Sequence, residues 1–232
     1  MKLISRKVLS SSTWWMVGRI LHLLPNSLRQ ESIVQIVQPF TLVGSERIRN
    51  LCRLARCIES LRIPGDVVEC GVFNGGTSAI LAHFATHSRL ERTVWLFDSF
   101  AGMPDTTEED REAARAEVGT TVGNIQKVIQ VLKMVNADLT RVHTIKGWFD
   151  DTFPSVKIER IALLNIDADW YESVKLCLNT FYDAVTPGGY VSIDDYGHWP
   201  GCKRAVDEFF ATRNLTYNLQ RVDYTARWFQ KL

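Results

Sequence analysis

The sequence has no pair of cysteines at the spacing of a zinc site or a redox motif. Its five cysteines are scattered along the chain, mostly between apolar neighbours, and none belongs to a Cys-x-x-Cys pair. This absence disfavours a zinc domain. Unpaired thiols fit a reducing compartment, so we expect a cytoplasmic protein.

The chain also lacks an excess of charge of either sign. Its formal net charge is only +1 at pH 7, which argues against a general nucleic-acid binder. The charges are nevertheless uneven, because residues 1–30 contain no acidic residue and carry Lys2, Arg6, Lys7, Arg19 and Arg29.

No apolar run is long enough to cross a bilayer. The apolar stretch that begins at Trp14 is broken by Arg19 and His22, and it is too short for a membrane span. It also has no small-residue cleavage site, so we expect no signal peptide. Residues 1–30 predict an amphipathic helix that covers the domain or an oligomer partner, with a helix lying on an anionic membrane surface as the alternative.

The Gly-x-Gly-x-x-Gly fingerprint of dinucleotide enzymes is absent as well. In its place, Val67 and Val68 predict a buried strand, Glu69-x-Gly71-x-x-x-Gly75 predicts a turn, and Thr77 is a candidate cap for the helix that follows. Such a turn brings backbone N–H groups close to a ligand. The acidic-x-Gly-x-x-x-Gly pattern is associated with S-adenosylmethionine, and a simple tight turn is the alternative.

Three later apolar runs also end in carboxylates, at Asp98, at Asp167 and at the Asp194-Asp195 pair. Helical patterns separate these runs, so we predict an α/β fold with a mostly parallel, Rossmann-like sheet covered by helices on both faces. Ligands bind such sheets at the carboxyl ends of the strands. Asp98 is placed to accept the ribose hydroxyls of a nucleoside, with a helix cap beside Ser99 as the alternative.

The other three aspartates predict a metal site. Asp167, Asp194 and Asp195 would meet at adjacent strand ends, and a hard divalent cation prefers oxygen ligands of this kind. For each aspartate alone, a cap or a turn is the alternative. Glu69, at the end of the first strand, would lie near the ammonium of a methionine tail or near the adjoining backbone turn.

The pattern predicts two regions along the chain. Residues 1–63 form a helical extension, with a helix that Ser45 opens, and residues 64–232 form the main domain. The charged segment 101–123 predicts a lid, or else a solvated helix and loop. Residues 187–189 predict a turn, and residues 219–222 and 226–229 predict an antiparallel hairpin. Trp148 and Phe149 would flank an adenine or pack in the core.

From about Pro39 onward the sequence resembles the TylF-like sugar O-methyltransferases that act on macrocin, mycinamicin and noviose. The motifs that carry this resemblance keep one order, among them Asp167-Ala-Asp-Trp-Tyr-Glu-Ser173, and they occupy residues 41–51, 64–76, 97–104, 147–152, 167–173, 188–196 and 202–209.

The resemblance implies a class I methyltransferase fold, S-adenosylmethionine, Mg²⁺ and a homo-oligomer. It implies that Asp167, Asp194 and Asp195 hold the metal and that Glu172 contacts the substrate, with Tyr196 as a second substrate candidate. The predicted cofactor contacts are Glu69, Gly71, Gly75, Thr77, Ser78, Asp98, Ser99, Trp148, Phe149 and Asp167.

The sequence departs from this family in the lid. Antibiotic-sugar members carry a histidine there as a candidate general base, whereas residues 113–118 contain none and Arg115 is nearest to its place.

We predict a Mg²⁺-dependent O-methyltransferase acting on a hydroxyl of a sugar or glycosylated small molecule, with Asp167 as the catalytic base. The alternatives are a nucleotide-dependent oxidoreductase and a non-catalytic, membrane-associated module that retains the fold.

Overall fold

A seven-stranded sheet organises the molecule. The computed structural model describes residues 23–24 and 26–232, so the predicted helix over the first residues lies largely outside the described part. The strand order is β3-β2-β1-β4-β5-β7-β6. The strands are β1 (Asp66–Cys70), β2 (Val94–Asp98), β3 (Val142–Lys146), β4 (Ile161–Ile166), β5 (Val185–Ile193), β6 (Gln220–Arg221) and β7 (Arg227–Gln230).

The first five strands are parallel, and β7 runs antiparallel to both β5 and β6. This arrangement confirms the predicted, mostly parallel sheet and its C-terminal hairpin. The helices are α1 (Asn26–Val37), α2 (Ser45–Ser60), α3 (Gly76–Thr86), α4 (Arg111–Arg115), α5 (Ile125–Met134), α6 (Phe149–Thr152), α7 (Tyr171–Phe181) and α8 (Pro200–Thr212).

Both faces of the sheet are covered, as predicted. Successive strand residues point to opposite faces, so Val67 and Leu163 enter one core while Val68 and Leu164 enter the other. Helices α1, α2, α3 and α5 cover the first face, and α7 and α8 cover the second. This double layer leaves the carboxyl edge of the parallel strands open for a ligand.

Helix α2 begins at Ser45, as predicted, and lies on the first face. It buries apolar side chains at helical spacing, including Ile48, Leu51, Leu54 and Ile58. These side chains belong to the same core as α3. Among the residues that the structure describes, no helix is both long and apolar enough to span a membrane.

Two local predictions were wrong. Thr77 does not cap α3, because Gly75 takes the N-cap position with a φ of +87° and the helix starts at Gly76. Residues 187–189 do not separate two elements but lie within β5. They form a bulge between the Ile161–Val185 and Leu163–Tyr190 pairs, which the left-handed φ of Gly188 permits.

Glu69 ties the first strand to its neighbours from inside the core. Its side chain is fully buried, accepts a hydrogen bond from the Ser78 hydroxyl, and accepts another from the Asn165 amide at 3.0 Å. Loss of hydration raises the pKa of Glu69 from 4.5 to about 7, although these hydrogen bonds oppose the shift. The folded protein therefore binds a proton here that the unfolded chain releases at lower pH.

We expect Glu69→Gln to remove a pH dependence of stability. The contribution of Glu69 to the free energy of unfolding falls as pH rises from about 4.5 to about 7, because the folded state holds its proton longer. The variant should be more stable than the wild type by about 3 kcal/mol above this window and lose that advantage below it. Denaturant unfolding across the window measures the difference. Glu91→Gln is the matched control, because the Glu91 side chain is 83% exposed. If the free energy of unfolding of the wild type and of Glu69→Gln changes with pH in the same way, the expectation is contradicted.

Candidate functional site

A cavity of about 930 Å³ opens at the carboxyl ends of the parallel strands. Residues at or just after the ends of β1, β2, β4 and β5 line it, and so do Gly102, Met103 and Pro104 of the segment after β2. A volume of this size suits a small-molecule site.

The glycine turn after β1 forms one wall of this cavity. Gly71 has a φ of +91°, and a Cβ atom on it would lie 1.8 Å from the Asp167 carbonyl oxygen. The Asp167 backbone N–H in turn donates to the Cys70 carbonyl at 2.8 Å. Only glycine fits this contact, so the first turn and the Asp167 strand end are held directly against each other.

Asp98 organises the same turn from the neighbouring strand. Its Oδ2 accepts hydrogen bonds from the backbone N–H groups of Val72 at 2.7 Å and Phe73 at 2.9 Å, and its Oδ1 accepts one from Phe100 at 2.6 Å. A carboxylate has about four acceptor positions, so one remains for a ligand. Asp98 itself lines the cavity.

The remaining predicted cofactor residues fall into two groups. Thr77, Ser99, Trp148 and Phe149 line the cavity, as do Gly71, Asp98 and Asp167. The Trp148 side chain is exposed, while Phe149 also stacks on Phe153 at 4.8 Å between ring centroids. Glu69, Gly75 and Ser78 lie behind the wall and do not line the cavity.

The structure brings the three predicted metal ligands together. Asp167, Asp194 and Asp195 each offer a carboxylate oxygen, and these atoms lie within 4.8 Å of one another. Asp194 and Asp195 are buried. Loss of hydration, together with the charges of neighbouring aspartates, raises the pKa values of Asp167 and Asp195 well above their ordinary range.

Arg47 lines the cavity and was not among the residues that the sequence predicted for the site. Its Nη1 pairs with Asp194 Oδ2, and its Nε lies 3.2 Å from Asp223 Oδ2. Loss of hydration raises the pKa of Asp194 to about 6, and the guanidinium opposes that rise. Arg47 lies in the motif of residues 41–51, which carries part of the family resemblance. It is 147 residues from Asp194 in the sequence, so no local pattern predicts their contact.

The donor set fits a hard divalent cation. All three groups offer oxygen, which Mg²⁺ prefers, and no histidine or cysteine belongs to the cluster among the described residues. Asp195 Oδ2 is buried without a hydrogen-bond partner. A buried carboxylate oxygen in this state is strongly unfavourable unless a cation or ordered water satisfies it.

Hydrogen bonds join the segment from Gly102 to Asp110 to the N-terminal end of α7. Asp110 Oδ1 accepts a hydrogen bond from the Tyr171 backbone N–H at 2.7 Å, and Trp170 Nε1 donates to the Pro104 carbonyl at 3.1 Å. Asp110 is buried. Arg115, the residue nearest to the missing lid histidine, instead pairs with Glu112 on the surface at 2.9 Å.

The two predicted substrate residues lie in different places. Glu172 lines the cavity and is 60% exposed. Tyr196 does not line the cavity, and its hydroxyl donates to Asp207 on α8 at 2.7 Å. His198 Nδ1 lies 3.1 Å from the Tyr224 hydroxyl, and both residues line the cavity.

Comparisons with known proteins agree with this geometry. The chain is 34% identical over 198 residues to the demethyldecarbamoylnovobiocin O-methyltransferase of Streptomyces niveus, covering 82% of this chain and 75% of that protein. It is 32% identical over 198 residues to the mycinamicin III 3''-O-methyltransferase of Micromonospora griseorubida, covering 79% of this chain and 75% of that protein.

Solved structures give the same result. The O-methyltransferase NovP superimposes with a TM-score of 0.77 and 28% identity, over 96% of this chain and 99% of that chain. The calicheamicin methyltransferase CalS11 superimposes with a TM-score of 0.68 over 95% of this chain and 91% of that chain. Its sequence identity is 20%, so it supports the fold alone. These matches confirm the class I methyltransferase fold and favour the methyltransferase prediction over the oxidoreductase alternative.

The family match covers nearly all of the described chain. Residues 24–231 match the family described as Macrocin-O-methyltransferase (TylF). Together with the cavity at the strand ends and the three-aspartate cluster, this match shows that the chain belongs to the TylF family of methyltransferases.

Proposed function

We propose that this protein transfers a methyl group from S-adenosylmethionine to a hydroxyl of a sugar or glycosylated small molecule, and that it requires Mg²⁺. The observation that carries the proposal is the position of the three-aspartate cluster, which shares one cavity with the glycine turn and Asp98. A further relative, from Streptomyces olivaceus, is named as the 8-demethyl-8-(2,3-dimethoxy-alpha-L-rhamnosyl)-tetracenomycin-C 4'-O-methyltransferase, and the rhamnosyl group in this name supports a sugar acceptor.

The glycine-turn side of the cavity would hold the methyl donor. Gly71 leaves the backbone of the turn uncovered, and Asp98 and Trp148 line the cavity, with the Trp148 ring exposed. Asp98 would accept the ribose hydroxyls, and the Trp148 ring would flank the adenine. Glu69 would act from behind the wall by fixing β1 against α3. Gly75 and Ser78 would likewise support the turn.

The aspartate side would hold the metal and the acceptor. Asp167, Asp194 and Asp195 would supply its protein ligands, leaving other coordination positions for acceptor oxygens or water. When bound, S-adenosylmethionine supplies an activated methyl group, and Mg²⁺ supplies positive charge that makes a neighbouring hydroxyl more acidic.

The protein's own residues then align the acceptor and remove its proton. Asp167 lies at the contact between the two halves of the cavity, since it touches Gly71 and also belongs to the acid cluster. We assign it the role of proton acceptor. The segment anchored by Asp110 would exclude water from the aligned pair.

The acceptor would lie between Glu172 and the aromatic wall. Trp199 and His198 form an edge-to-face pair with ring centroids 4.5 Å apart, and Tyr224 closes the wall. Aromatic faces and an exposed carboxylate are suited to the apolar faces and hydroxyl groups of a sugar.

We further place this reaction in the cytoplasm. All five cysteines are free thiols, as expected in a reducing compartment. Membrane contact through residues 1–30 and a homo-oligomeric state stay predictions.

The metal requirement predicts the effect of Asp195→Asn. We expect the rate of S-adenosylhomocysteine release, measured against a panel of glycosides, to fall about a hundredfold or more, and EDTA to produce a similar loss in the wild type. Mn²⁺ binding followed by electron paramagnetic resonance should weaken in parallel. Asp151→Asn, at an exposed residue outside the cavity, is the matched control. Full activity of Asp195→Asn in the presence of a chelator would contradict the metal requirement. If the wild type turns over no acceptor, the non-catalytic alternative is favoured.

The acceptor assignment predicts a separate effect of Glu172→Gln. We expect KM for the glycoside to rise about tenfold, because a charge-assisted hydrogen bond to a hydroxyl is lost, while KM for S-adenosylmethionine stays unchanged. Steady-state kinetics with each substrate varied in turn separates the two constants. Glu159→Gln, on the exposed surface, provides the comparison. An equal rise in both constants would show that Glu172 acts on the fold of the site and not on the acceptor.

A further inference from the structure

A second concave surface, which we name the arginine groove, lies outside the catalytic cavity. Its volume is about 540 Å³, and it shares no lining residue with that cavity. Its lining combines residues of α1, α2 and the β6–β7 hairpin, namely Gln30, Arg49, Asn50, Arg53, Arg56, Gln220, Arg221, Val222 and Trp228.

The spacing of the arginines along α2 creates this groove. Arg49, Arg53 and Arg56 are separated by four and three residues, so they share one face of the helix. The opposite face is buried in the core, as Leu51 and Leu54 show. Arg221 on β6 then adds a guanidinium from the edge strand of the sheet.

Neutral groups hold three of these guanidiniums in position. Arg53 donates to the Asn50 side chain at 2.8 Å, and its guanidinium lies 4.5 Å from the centroid of the Trp228 ring. Arg56 donates to the Gln30 side chain at 2.7 Å, and Arg221 donates to a backbone carbonyl at 2.7 Å. The positive charges are therefore oriented without being neutralised.

The chain itself does not supply the missing negative charge. Within the described residues, the one carboxylate paired with these arginines is Glu31, which contacts Arg49 at 3.1 Å. Residues 1–22, which lie outside the description, contain neither aspartate nor glutamate. The counter-charge of Arg53, Arg56 and Arg221 must therefore come from solution or from a ligand.

We propose that the arginine groove binds phosphate groups. The planar fork of a guanidinium matches the oxygens of a phosphate bidentately, and several arginines can share one dianion. The groove is large enough for a diphosphate, and Trp228 gives its floor an aromatic surface. This inference rests on the groove alone and does not depend on the proposed methyl transfer.

Two sources of phosphate fit this chemistry. A soluble diphosphate would occupy the groove alone. A lipid headgroup would instead bring the protein to a membrane surface, where the basic residues before position 23 add attraction to anionic lipid. Binding measurements with one probe of each kind separate these sources.

The test measures binding by the full-length wild type and by two groove variants from different elements, Arg53→Gln/Arg56→Gln and Arg221→Gln. The probes are inorganic pyrophosphate, followed by isothermal titration calorimetry, and phosphatidylcholine vesicles with or without phosphatidylglycerol, followed by co-sedimentation. Arg204→Gln is the matched control, because Arg204 is an exposed helical arginine that is paired with Glu208 at 2.7 Å. Thermal unfolding checks that each variant is folded. If the Arg53→Gln/Arg56→Gln double variant does not fold, Arg221→Gln still tests the proposal.

We expect binding of at least one probe to weaken about tenfold or more in each folded groove variant. Arg204→Gln should bind like the wild type. Groove-dependent pyrophosphate binding assigns the site to soluble phosphates, and groove-dependent binding of the anionic vesicles assigns it to lipid headgroups. If the wild type binds neither probe, or if the groove variants bind both as the wild type does, the proposal is wrong.

Discussion

Repulsion between carboxylates at the carboxyl edge of the sheet is the constraint on which this site depends. Three aspartates place oxygens within 4.8 Å of one another, and two unit charges at this separation repel by about 3 kcal/mol at the effective dielectric of a protein. Burial adds to the cost of ionising all three. All three carboxyl groups can therefore ionise together only with positive charge beside them.

The surrounding structure supplies part of that charge. Helix α2 carries Arg47 to the rim, and the β6–β7 turn holds it from the other side through Asp223. One guanidinium does not neutralise three acids, and Asp195 keeps an unpaired buried oxygen. The N-terminal helices and the C-terminal hairpin thus contribute to a cluster whose acids come from the central strands, and the proposed metal would complete the charge balance.

The near-zero net charge of the chain conceals a segregation of charge in space. Acids gather at the rim of the cavity, while three arginines without a carboxylate partner among the described residues gather in the groove on α2 and the hairpin. The partners proposed for these surfaces have the opposite sign, a cation at the rim and an anion in the groove. Net charge excludes broad classes of partner, but it does not report such local imbalance.

Sequence patterns by themselves determined the architecture and most of the candidate site. Apolar runs that end in acids are local signals, and parallel strands carry their carboxyl ends to a common edge, so the sequence alone identifies Asp98, Asp167, Asp194 and Asp195 as site candidates. Local signals failed where several backbone conformations compete, as at Thr77 and at the bulge of residues 187–189. Only the tertiary structure decided which distant residues complete the two charged surfaces. Arg47 meets Asp194 across 147 positions of sequence, and Arg53 meets Trp228 across the junction of a helix and a hairpin. Contacts of this kind follow from how whole elements pack, and no periodicity within a short segment encodes them.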